Sequence, residues 1–123
     1  MTESEFDTTF GAVWASKIIR YRLNMLKKEI SFVLETNDDE VIQTHHLVLK
    51  DVSMFYFIGE PREYDEDAWL EFTEINILCA NDIEKAREKY SFVPCANLEI
   101  GLWDSFLLVN AKTIVLDGTQ YQL

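Results

Sequence analysis

Two histidines stand side by side at His45 and His46, at the head of the run THHLVLKDVSMFYFIGE (residues 44–60). Imidazole ligates transition metals and moves protons near neutral pH, so this pair is the first place to look for chemistry. The residues that follow are β-prone, and successive side chains on a strand point to opposite faces. His45 and His46 therefore cannot both reach one ion while the strand persists. One can sit under the sheet and the other in water. Neither an HxH nor an HExxH spacing supplies further ligands, and no metal is expected.

Other reactive arrangements fail on spacing. Asp65 as the first ligand of a calcium loop puts Asp67 third, but Trp69 then falls fifth and Leu70 stands where a glycine is needed. No GxSxG elbow occurs, and no third histidine is present to serve a serine or cysteine nucleophile. Gly11, Gly59, Gly101 and Gly118 are scattered and form no phosphate-cradling loop. Carboxylates such as Glu71, Glu74 and Glu99 make a glycosidase-like pair only if the fold brings two of them together. Cys79 and Cys95 form no CxxC pair and read as two reduced thiols, with a single bridge left open if two strands juxtapose them. The expectation is a protein that is not an enzyme and needs no cofactor.

Charge is the strongest signal. The formal net charge is −11, and residues 35–75 carry twelve acidic against two basic groups, a local balance of −10. The densest part is EPREYDEDAWLEFTE, starting at Glu60. Such a surface repels phosphate backbones and anionic lipid, which excludes nucleic acid and membrane as main partners. It attracts a basic protein and raises the encounter rate. Glu60, Glu63, Asp65, Glu66, Asp67 and Trp69 are the candidate contacts, the carboxylates for steering and the indole as an anchor. Solubility alone also accounts for acidic loops.

The elements that must position these residues follow from length and patterning. At 123 residues, 48% of them hydrophobic, the chain suits one domain, 1–123, with a real core. No apolar run approaches the roughly 18 residues of a membrane span. The acidic start MTESEFDTTF is unlike the basic head of a secretory signal, so a cytoplasmic location is expected.

KIIRYRLNM sets Ile19, Tyr21 and Leu23 against Arg20, Arg22 and Asn24, and EISFVLE aligns Ile30, Phe32 and Leu34. These two runs read as an antiparallel pair. ETNDDE reads as a polar loop, and HHLVLKDV with SMFYFI as two strands or one strand bent near residues 51–53. In AWLEFTEINILC, Leu70 and Phe72, with Leu78 as a further candidate, oppose Glu71, Thr73 and Ile75 in an imperfect alternation. NDIEKAREKY has a capping box and is the best helix candidate. NLEIGLW aligns Leu98, Ile100 and Leu102, and SFLLVNA is apolar on both faces. Asp117-Gly118 marks a two-residue hairpin. Phe6, Phe10, Val13 and Trp14 have helical spacing that Thr8, Thr9 and Gly11 oppose. The predicted fold class is mainly β (or α+β): an antiparallel β-sandwich or strongly bent sheet of about seven to nine short strands with one short helix.

HHLVLKDVSMFYF and NLEIGLWDSFLLVNAKTIVLDG, taken together, resemble small Gram-positive bacterial proteins of the YxiG-like group over residues 16–123. The shared features are an apolar strand ending in Lys-Asp-Val, the aromatics after it, an Asn-Leu-Glu-Ile segment with a Trp-Asp close behind, and a last hairpin. The resemblance implies a toxin-immunity context and brings no catalytic residue with it. A non-enzymatic acidic binding protein, an immunity protein occluding a basic toxin domain, is the leading expectation. The alternatives are a small-ligand carrier with an apolar cavity lined by Phe55, Phe57 and Phe72, and an accessory or structural subunit.

Overall fold

The computed structural model describes residues 1–59, 71–78, 84, 96–103 and 105–123. Its first element is a helix, α1 (Glu3–Phe10), and a capping box explains why the N-terminal aromatics win over the threonines. Thr2 Oγ1 accepts from the Glu5 N–H at 3.1 Å and the Glu5 carboxylate accepts from the Thr2 N–H at 2.9 Å. Two amides that a helix start leaves unsatisfied are thereby paired. A 3-10 turn (Gly11–Val13) follows. Phe6, Phe10 and Val13 are fully buried, and Phe10 meets Tyr121 edge-on at 5.4 Å. Burial worth ~1.5–3 kcal/mol per side chain anchors a helix too short to persist alone.

Ten strands are present among the described residues, all paired antiparallel in two sheets. The first three are β1 (Ser16–Asn24), β2 (Glu29–Asp38) and β3 (Val41–Lys50). They form a meander that β5 (Glu71–Phe72) extends on one side and β9 (Thr113–Leu116) with β10 (Thr119–Gln122) on the other. The second sheet runs β4 (Met54–Ile58), β8 (Ser105–Asn110), β7 (Leu98–Leu102) and β6 (Glu74–Ile77). Ile30, Phe32 and Leu34 share the inner face of the six-stranded sheet with Leu47, Leu49 and Ile114, and Leu98, Ile100 and Val109 belong to the same buried cluster. Two half-apolar sheets gain most by closing on one another, and the predicted sandwich-type β architecture is what forms. Asn97 ties the crossover between the sheets: its amide donates to the Ala111 C=O at 2.7 Å and accepts from the Ala111 N–H at 3.0 Å.

Four local readings are corrected. Ten strands replace seven to nine because the 71–77 stretch breaks at Thr73 and changes sheets. Thr73 is held there by three bonds: its C=O accepts from Ala15, its N–H donates to Gly101, and its hydroxyl accepts from the Trp103 N–H. The break resets the alternation, so Phe72 and Ile75 are both fully buried, and Ile75 does not join the polar face. ETNDDE is no loop, since β2 and β3 pair to Asp38↔Val41 and turn on Asp39 and Glu40 alone, at φ 49° and 68°. In β1 a bulge between Ile18 and Arg20 takes Ile19 out of the expected row, so Ile18 is the buried isoleucine and Ile19 is exposed. Tyr21 and Leu23 keep to one face opposite Arg20 and Arg22, paired with Phe32 and Ile30. The helix expected at NDIEKAREKY lies outside the described residues except for Glu84, which is helical, and Cys79 and Cys95 lie outside them too. Among the described residues no helix is long and apolar enough to cross a membrane.

Candidate functional site

The register of β2 with β3 separates the two histidines. His45 pairs with Leu34 on the inner face, and His46 pairs with Val33 on the outer face. The expected division between a covered and an open histidine is found. Asp117, first residue of the β9–β10 turn, reaches both. Its Oδ2 lies 2.7 Å from His45 Nδ1, and its Oδ1 accepts from the His46 N–H at 2.8 Å. The Asp117 N–H in turn donates to the His46 C=O at 2.9 Å. The turn needs positive φ at both central positions, and Asp117 and Gly118 supply it at 50° and 85°. Burial pushes the Asp117 carboxyl up, but the His45 and His46 hydrogen bonds and the attraction of both imidazoles outweigh it. The net pKa lies below the ordinary 3.8.

A histidine oriented by a carboxylate is half of a base-and-orienter pair, and the other half is a nucleophile on the far nitrogen. His45 Nε2 is buried, with no hydrogen-bond partner among the described residues. Ser16 Oγ is also buried with no partner among the described residues, so the two are not bonded to each other. The arrangement fastens the last hairpin to β3. Among the described residues, no group of three or more His, Cys, Asp or Glu is placed to hold a metal ion.

The candidate contacts Glu60, Glu63, Asp65, Glu66, Asp67 and Trp69 lie outside the described residues. What is described is where that stretch is attached, with β4 before it and β5 after it, each an edge strand of its sheet. A second acidic feature is in view. The β2–β3 turn presents Asp38, Asp39 and Glu40, all exposed, beside exposed Val41 and Ile42.

The sequence reading passed over a feature of opposite sign. The outer face of the six-stranded sheet holds a groove of about 400 Å³ whose lining includes Arg20, Arg22, Ser31, Val33, His46 and Val48, along with Tyr21 and Phe32 between them in the strands. Register explains the grouping: Arg20, Val33 and His46 form one cross-strand row, and Arg22, Ser31 and Val48 the next. Val33 and Val48 make an apolar floor under cationic walls. The signal was available as charge runs, because KIIRYRLNMLKK (residues 17–28) has five basic residues and no acidic one.

Fold and site together define a two-sheet antiparallel β architecture in which Asp117 joins the last hairpin to β3 through His45 and the His46 amide. The chain belongs to the YxiG-like family: the model for YxiG-like proteins matches residues 6–121. The match takes in part of α1, ten residues upstream of where the resemblance begins in the sequence reading. No curated protein and no solved structure matches the chain.

Proposed function

We propose that this YxiG-like protein is a non-enzymatic binding protein that occludes a basic protein partner, as an immunity protein covers a toxin domain. The observation that carries the reading is the concentration of −10 of the −11 net charge in residues 35–75. The β2–β3 turn supports it with three adjacent carboxylates beside two exposed aliphatic side chains. The backbone that carries these carboxylates is fixed by strand pairing up to Asp38↔Val41, which lowers the entropy cost of association. Glu60, Glu63, Asp65, Glu66, Asp67 and Trp69, in the densest acidic stretch of the sequence, are the further contacts proposed.

The carrier reading asks Phe55, Phe57 and Phe72 to line one cavity. Phe72 is instead fully buried, with its ring edge-on to Phe32 at 5.5 Å. Phe55 and Phe57 lie on edge strand β4, 45% and 58% exposed. One buried ring in the core and two exposed rings on an edge strand do not make the lining that the carrier reading asks for among the described residues, and this favours the binding reading.

Co-purification of the full chain with the product of the adjacent gene tests the proposal. Capture is expected, and reversal of Asp38, Asp39, Glu63, Asp65, Glu66 and Asp67 to lysine is expected to abolish it. Capture that survives the reversal overturns the acidic surface as the contact.

A further inference from the structure

β5 is two residues long and pairs with β1 only at Ser16↔Phe72 and Lys17↔Glu71. Among the described residues, nothing pairs with β1 on that side from Ile19 to Asn24. The backbone donors and acceptors that every second residue of this stretch turns away from β2 are therefore unused, among the described residues, at the margin of the sheet. Such an edge is a template for another strand unless something blocks it.

The side chains say which strand it accepts. Arg20 and Arg22 point to the outer face, where they wall the groove floored by Val33 and Val48. Tyr21 and Leu23 point to the inner side, 66% and 42% exposed, next to buried Phe32 and Ile30. Met25 and Leu26 continue the exposed apolar strip into the β1–β2 turn, followed by Lys27 and Lys28. No ion pair to Arg20 or Arg22 is present among the described residues. In a chain of net charge −11 this is a local inversion, with five cations and no anion over residues 17–28.

We propose that the β1 edge from Ile19 to Asn24 takes an extended acidic segment of a protein partner as an added strand. Alternation dictates the occupant's pattern. Carboxylates at every second position meet Arg20 and Arg22 over the groove, and apolar side chains between them cover Tyr21 and Leu23. A second copy of β1 is a poor occupant, because self-pairing sets arginine against arginine, and like charges across an edge are a usual guard against it. An anionic membrane is a poor one too, because the whole molecule is repelled by it and bare strand edges cannot enter hydrocarbon. This surface is opposite in sign to the exposed β2–β3 turn of Asp38, Asp39 and Glu40.

The probe is an octapeptide of alternating Glu and Val, titrated into the full chain and followed by amide chemical shifts. Shifts confined to residues 19–24 and their β2 partners are expected. Affinity falls about tenfold when alternate peptide amides are N-methylated, and about tenfold again in the exposed-site variant R20Q/R22Q, in step with added salt. A Lys-Val peptide is expected not to bind. Because both arginines are exposed, R20Q/R22Q retains the wild-type melting temperature. An N-methylated peptide that binds as well as its parent removes strand addition, and binding unchanged in R20Q/R22Q removes the charge rule. Concentration-dependent sedimentation of the chain alone through this edge, or binding to vesicles of equal phosphatidylcholine and phosphatidylserine in place of the peptide, overturns the proposal.

Discussion

His45 and Asp117 lie 72 residues apart in the chain and 2.7 Å apart in the fold. Their contact joins the centre of the six-stranded sheet to the turn that closes it. Asp117 has two separable duties there, as acceptor for His45 and the His46 amide and as a residue tolerating φ of 50°. Asn keeps the turn geometry and one acceptor oxygen, whereas Ala keeps neither. Asp117→Ala is expected to cost about 2 kcal/mol and Asp117→Asn about 1 kcal/mol or less, figures kept low because this carboxylate is partly solvated. Urea denaturation of the three proteins checks the order. Equal losses for Asn and Ala contradict it.

The same contact sets an acid limit. The Asp117 pKa is depressed in the fold, below the ordinary 3.8, so the folded state holds its proton less tightly than the unfolded chain. Its contribution is fully present above the unfolded value and disappears as pH falls through the folded one. The stability gap between wild type and Asp117→Asn is therefore expected to be flat from neutral pH down to about 5 and to narrow below about 4. Parallel urea titrations across that range measure it. A gap that widens on acidification reverses the sign and refutes the account.

Much of this was readable from pattern. The inner-face rows Ile30-Phe32-Leu34 and Leu98-Ile100-Leu102 and the Asp117-Gly118 turn were legible because alternation and turn chemistry act locally. The bulge at Ile19 and the break at Thr73 were not. Both are made by partners distant in sequence, Leu34 and Val33 for the first, Gly101 and Trp103 for the second. Each shifts the alternation by one, which exchanges faces for every residue beyond it. Of the site, the split between His45 and His46 was legible for the same local reason. The groove under Arg20 and Arg22 was not, since it needs the register of three strands.

The β2–β3 turn allows charge to be removed without loss of structure. Asp39 and Glu40 both sit at positive φ, a conformation that costs most L-residues about 1 kcal/mol and that Asn-Gly adopts readily. The double variant D39N/E40G is expected to gain about 1 kcal/mol in stability and to lose affinity for a basic partner. Thermal melting and a pull-down against the adjacent gene product read the two effects separately. Unchanged binding in this better-folded variant removes the turn from the contact surface.

The last prediction separates a filled core from a ligand cavity. Phe72 has no solvent exposure and rests edge-on against Phe32, itself almost wholly buried. Truncating such a ring leaves a void that close-packed neighbours fill only in part. Phe72→Ala is expected to cost about 3–5 kcal/mol, while Phe57→Ala, on the exposed edge, costs less than about 1 kcal/mol. If Phe72 lined a ligand pocket, its removal would enlarge existing empty space and cost far less than the core value. A loss for Phe72→Ala as small as that for Phe57→Ala restores the carrier reading. A large difference, measured by denaturant midpoints at constant slope, leaves the apolar interior to stability and function to the surface.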